Sequence, residues 1–90
     1  MGIEKVKLCR LSSVKMVELD DEIILSHQEK NYVLNASGVE IWEMLKQPIT
    51  TKEIIERVAE TYNVQLSLIE SDVIELLESF VIKGLIEKQA

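Results

Sequence analysis

Cysteine occurs once in these 90 residues, at Cys9, so no intramolecular disulfide can form and the chain suits a reducing compartment, the cytoplasm. Cys9 lies in an alternating stretch and reads as a small hydrophobe rather than a nucleophile. Histidine also occurs once, at His27. A metal site needs three or four ligands, and no spacing of Cys, His and carboxylates supplies them, so His27 reads as an ordinary edge residue. Gly2, Gly38 and Gly84 are too scattered to form a phosphate-binding loop. Nothing gathers an acid, a base and a nucleophile, so neither catalytic residues nor a cofactor is expected. No apolar run approaches the roughly 18 residues of a membrane span. Met1-Gly2-Ile3-Glu4-Lys5 leads into no signal-peptide core, and Val6 stands where myristoylation at Gly2 would need Ser or Thr.

What the chain does have is apolar and acidic. Hydrophobic residues make up 47%, enough for a real core in one compact domain spanning 1–90. The net charge of −6 argues against nucleic acid or an anionic membrane as a partner. Only the first fifteen residues are basic, through Lys5, Lys7, Arg10 and Lys15 against Glu4.

The first third, roughly residues 5–34, has the pattern of β-strands. Lys5-Val6-Lys7-Leu8 alternates, Val14 to Leu19 is β-rich, and Asp20-Asp21 signals a turn. Glu22 to Ser26 and Tyr32-Val33-Leu34 then form the arms of a hairpin across a polar Gln28-Glu29-Lys30-Asn31 turn. From Asn35 the period becomes helical, with three helices expected at roughly 36–46, 51–62 and 67–83. Asn35 or Ser37 can cap the first, with Ser37 and Glu40 at capping-box spacing, and Pro48 breaks it. Thr50 with Glu53 and Ser67 with Glu70 read as two further capping boxes. Gly84 fits the left-handed position that closes a helix, with Leu85 returning to Phe80. Strands followed by helices imply an α+β fold, a three-stranded antiparallel sheet packed on three helices, similar in plan to a winged helix-turn-helix.

That plan raises DNA binding as a rival function. The last helix carries Glu70, Asp72, Glu75 and Glu78, with no basic residue before Lys83, and would meet a polyanion with repulsion. The same helix is apolar over more than a narrow stripe: Ile74, Val81 and Ile82 widen the band of Ile69, Val73, Leu76, Leu77 and Phe80. It is either buried on two sides or lines a groove, and Tyr32 and Leu34 on the last strand share this ambiguity. An acidic protein–protein interaction module is the other reading of such a chain.

Two stretches resemble the PqqD-like family. In one, Tyr32-Val33-Leu34-Asn35-Ala36-Ser37-Gly38-Val39-Glu40-Ile41-Trp42, a strand ending in Leu-Asn passes through a small-Gly-apolar turn into a helix containing Ile-Trp. In the other, an Asp72-Val73-Ile74-Glu75-Leu76-Leu77 helix ends in Lys83-Gly84-Leu85-Ile86. The resemblance spans roughly Glu22 to Glu87. It implies a RiPP recognition element, a peptide chaperone that binds the leader of a ribosomally made precursor as an added strand and presents it to a modifying enzyme. Carried onto this chain, the docking strand is Asn31, Tyr32, Val33, Leu34 and Asn35. The groove wall is Val73, Ile74, Leu77 and Val81, and Glu70 and Glu78 attract a basic leader residue. The short hairpin and the Ile41-to-Thr50 stretch are similar to the stand-alone subunits of lasso-peptide clusters. The segment before Asp20, and the lack of a Trp- and Pro-Glu-containing hairpin, depart from the pyrroloquinoline quinone branch. The implied partner enzyme is a protease–cyclase pair or a radical SAM enzyme. An exposed edge strand can also pair with itself, so monomer and strand-exchanged homodimer both stay open.

Overall fold

A computed structural model describes residues 5–89. Gly2 and Glu4, and with them the readings of the first four residues, lie outside the described part. The elements run β1 (Lys7–Arg10), β2 (Lys15–Leu19), β3 (Glu22–His27), β4 (Lys30–Leu34), α1 (Ala36–Met44), β5 (Ile49–Thr50), α2 (Thr51–Tyr62), α3 (Leu66–Ile82) and β6 (Ile86–Gln89).

The fold is α+β, as the order of patterns implies, with one difference. There are two three-stranded antiparallel sheets instead of one, ordered β2-β3-β4 and β5-β1-β6. β1 does not extend the meander. It pairs with β6 from Lys7↔Gln89 to Arg10↔Ile86, and with β5 through Lys7↔Thr50 and Leu8↔Ile49. The two partners of β1 have only two and four residues, too short for alternation to stand out in the sequence.

The meander is set by two two-residue turns. Asp20, Asp21, Gln28 and Glu29 all have positive φ, between 51° and 67°, the conformation of turns that match strand twist. In β4 the side chains alternate: Tyr32 and Leu34 point into the molecule, Asn31 and Val33 away from it.

The helices begin and end for local reasons. Asn35 caps α1, accepting from the Gly38 amide at 2.8 Å. A Cβ at Gly38 would lie 3.1 Å from that accepting oxygen, so the bare backbone lets the cap close. Thr50 and Glu53 form a reciprocal capping box at the start of α2. Its backbone and side-chain hydrogen bonds with Thr50 hold the Glu53 carboxyl below its ordinary pKa. The expected Ser67 box is absent: α3 starts at Leu66 after Gln65 without a side-chain cap, so Ser67 lies within the helix. At the other end Gly84 takes φ +73°, Leu85 N–H bonds Phe80 O at 2.9 Å and Gly84 N–H bonds Val81 O at 3.0 Å, a Schellman closure.

The core joins both sheets to all three helices. Leu8, Leu25, Trp42, Leu45, Ile54, Leu77 and Leu85 are essentially inaccessible. The Trp42 ring meets Phe80 edge-on at 5.6 Å, locking α1 to α3. Arg10 covers the same indole at 5.5 Å, donates to the Trp42 carbonyl at 3.3 Å and lies 3.8 Å from Glu43.

Candidate functional site: an open sheet edge beside the last helix

Among the described residues β4 is paired on one side only, with β3. Its register follows from the turn. His27 and Lys30 flank a two-residue loop and so exchange both backbone hydrogen bonds, and the alternation continues along the ladder. The amides of Lys30, Tyr32 and Leu34 therefore face β3. Those of Asn31 and Val33 face outward, a row of unpaired donors and acceptors.

α3 forms the wall beyond this edge, and its two flanks differ. At 3.6 residues per turn, Asp72, Leu76, Ser79 and Lys83 share one flank, while Glu70, Ile74, Glu78 and Val81 fall on the other. The first flank faces β4. The Lys83 ammonium sits 4.9 Å from the centre of the Tyr32 ring, tying the end of α3 to β4. Further along, where β4 passes into α1, a cleft of about 340 Å³ is lined by Ser37 and Ile41 of α1, Val58 and Tyr62 of α2, and Ile69, Asp72, Val73 and Leu76 of α3. The Tyr62 hydroxyl at its rim donates to Glu40 Oε1 at 2.6 Å, and this bond raises the Tyr62 pKa.

The sequence-derived site residues divide accordingly. Asn31 and Val33 lie on the open edge, and Val33 is 61% exposed. Tyr32 is half-buried at the groove, Leu34 is in the core, and Asn35 is engaged in capping α1. Val73 and Leu77 are core residues, although Val73 also touches the cleft. Ile74 and Glu70 line a separate cleft with Lys5, Thr51, Ile55 and Leu66, on the far flank. Val81 packs against the core, and Glu78 is exposed. Ile74 and Val81 thus lie on the flank of α3 opposite the one that carries Leu76 and Lys83, with Asp72, beside Tyr32. Helical phase separates Ile74 from Leu76 in the sequence already, but only the tertiary arrangement says which flank meets β4.

Among the described residues no group of His, Cys, Asp and Glu is placed to hold a metal ion, and no helix is long and apolar enough to cross a membrane. The site offers backbone hydrogen bonds, an apolar cleft and isolated charges, which is equipment for holding an extended chain. A family model described as coenzyme PQQ synthesis protein D matches residues 22–86, most of the chain and all of the meander's second hairpin. The chain belongs to the PqqD family. Two solved structures have the same fold. The PqqD truncation of Methylobacterium extorquens PqqCD, described as a functional and stand-alone RiPP recognition element, aligns with TM-score 0.78 at 17% identity, covering 97% of this chain and 95% of that one. TbiB1 in complex with the TbiA(beta) leader peptide aligns with TM-score 0.75 at 27% identity, covering 91% of this chain and 98% of that one. No curated protein sequence matches. This chain shares the PqqD architecture, with β4 and α3 inside the matched span.

Proposed function

We propose that this protein is a non-catalytic chaperone that takes up the leader of a ribosomally synthesised precursor peptide as an added strand on β4 and presents it, in the cytoplasm, to a modifying enzyme. The observation that carries the reading is the unpaired β4 edge facing the Asp72–Lys83 flank of α3. The similarity to TbiB1, whose structure holds a leader peptide, supports it. In an added strand, the amides and carbonyls of Asn31 and Val33 supply affinity, and alternate leader side chains enter the cleft beside Leu76 and Ile69 for specificity. Ordering a disordered leader costs about 1–2 kcal/mol per residue, so affinity rests on a few anchors and release stays easy. The exposed acidic residues of α3, Glu70, Glu75 and Glu78, disfavour nucleic acid as the ligand.

The test is an isotope-labelled NMR titration with the leader of the precursor encoded beside this gene. Shifts are expected in Asn31–Asn35 and along Asp72, Leu76 and Lys83. No shifts with leader at several hundred micromolar would remove the assignment for that peptide. Retention of the partner enzyme by the protein–leader complex, in a pull-down with and without leader, tests presentation.

A further inference from the structure

The groove beside β4 is oppositely charged at its two ends. At one end, Lys83 lies over the ring of Tyr32, the middle residue of β4, and Lys30, two residues earlier, projects from the same face of the strand. At the other end, Asp72 lines the cleft and Glu40 is held at its rim by the Tyr62 hydroxyl. The positive end of α1 also lies there, but a helix terminus amounts to roughly half a charge against two carboxylates. Among the described residues, neither Asp72 nor Lys83 is paired in a salt bridge.

From this we infer that the groove selects leaders by the order of their charges, taking an antiparallel strand in which a basic residue comes first and an acidic residue follows about four to six positions later. The inference rests on the strand-addition reading and names the chemistry of its ligand. α3 runs opposite to β4, because its end meets Tyr32 while its middle meets the start of α1. Eleven helical steps from Asp72 to Lys83 span about 16 Å, the length of about five strand residues. Only alternate residues of an added strand face α3, so the two charges must be an even number apart. Antiparallel pairing continues the pattern of β2-β3-β4 and is the slightly stronger ladder. Such a strand begins beyond Leu34, beside Asp72 and the start of α1, and reaches Lys83 where it passes Tyr32. Its basic residue therefore reaches Asp72 and Glu40, and its acidic residue reaches Lys83.

The test uses the synthetic leader of the neighbouring precursor in three forms: native, with its basic and acidic residues exchanged, and with both replaced by Gln. Exchange is expected to weaken binding about three- to tenfold relative to native, with the Gln form between them, since exposed pairs are individually weak. The doubly reversed protein, Asp72→Lys with Lys83→Glu, is expected to prefer the exchanged leader. Both positions are exposed, so it should fold, and circular dichroism checks this. Three leaders of equal affinity that all shift the Asn31 and Val33 amides would overturn the charge rule while leaving strand addition standing. So would an unchanged preference in the reversed protein, or a native leader without such a pair. A leader that shifts neither amide would overturn both.

Discussion

Gly84 is the residue on which α3 turns back. Its φ of +73° is one that a side chain resists, yet no atom lies within 4 Å of where a Cβ would stand. The cost of Gly84→Ala is therefore one of backbone conformation without a clash, about 1 kcal/mol, readable as a lower denaturation midpoint at unchanged denaturant slope. Thr50 works at the opposite kind of terminus. Thr50→Ala is expected to destabilise by about 1 kcal/mol near neutral pH. Glu53 completes that cap as a carboxylate whose folded pKa is depressed. Its contribution is present above the ordinary carboxylate range and is lost as pH falls through the folded value. The difference between wild type and Glu53→Gln is thus expected to shrink as acidification carries the pH below the ordinary carboxylate range. Features of this kind are legible in sequence because their partners lie three to five residues away. Ser67 shows the limit: it has the spacing of a capping box, but Leu66 turns to the cleft beside Ile55, and the helix starts ahead of it.

At the scale of the element, β4 presents two different backbones in alternate residues. Pro at an outward amide leaves the ladder to β3 intact, whereas Pro at an inward one removes a hydrogen bond within the sheet. Val33→Pro is expected to keep the fold, by circular dichroism, and to weaken leader binding about five- to tenfold through the lost edge donor. Leu34→Pro breaks the pairing with Ile23 and is expected to lower stability before binding can be read. A folded Val33→Pro protein of full affinity would count against β4 as the docking strand. The hairpin itself was legible, through its polar turn and the change of period at Asn35. The face of each helix was legible only in part. Val73, Leu77 and Phe80 mark the buried stripe of α3 by their phase. Ile74 and Leu76 are equally apolar shoulders of that stripe, and the choice between them depends on Tyr32 and Lys83, which are 51 residues apart in the chain and meet only in the folded molecule.

For the molecule as a whole, the proposed strand addition links leader binding to stability. If the leader binds the folded chain alone, leader at a hundredfold excess over Kd is expected to raise the unfolding free energy by about 2.7 kcal/mol, seen as a concentration-dependent rise in Tm. The same open edge can template a second copy, so leader should shift any strand-exchanged dimer toward monomer, which sedimentation would report. The sheet that the sequence did not announce has a consequence of another sort. Because Lys7 sits opposite Gln89, the first and last described strands lie side by side. Spliced into a surface loop of an unrelated protein, the described residues would leave the two cut ends of that loop side by side, so the fold could be grafted without prying its host apart.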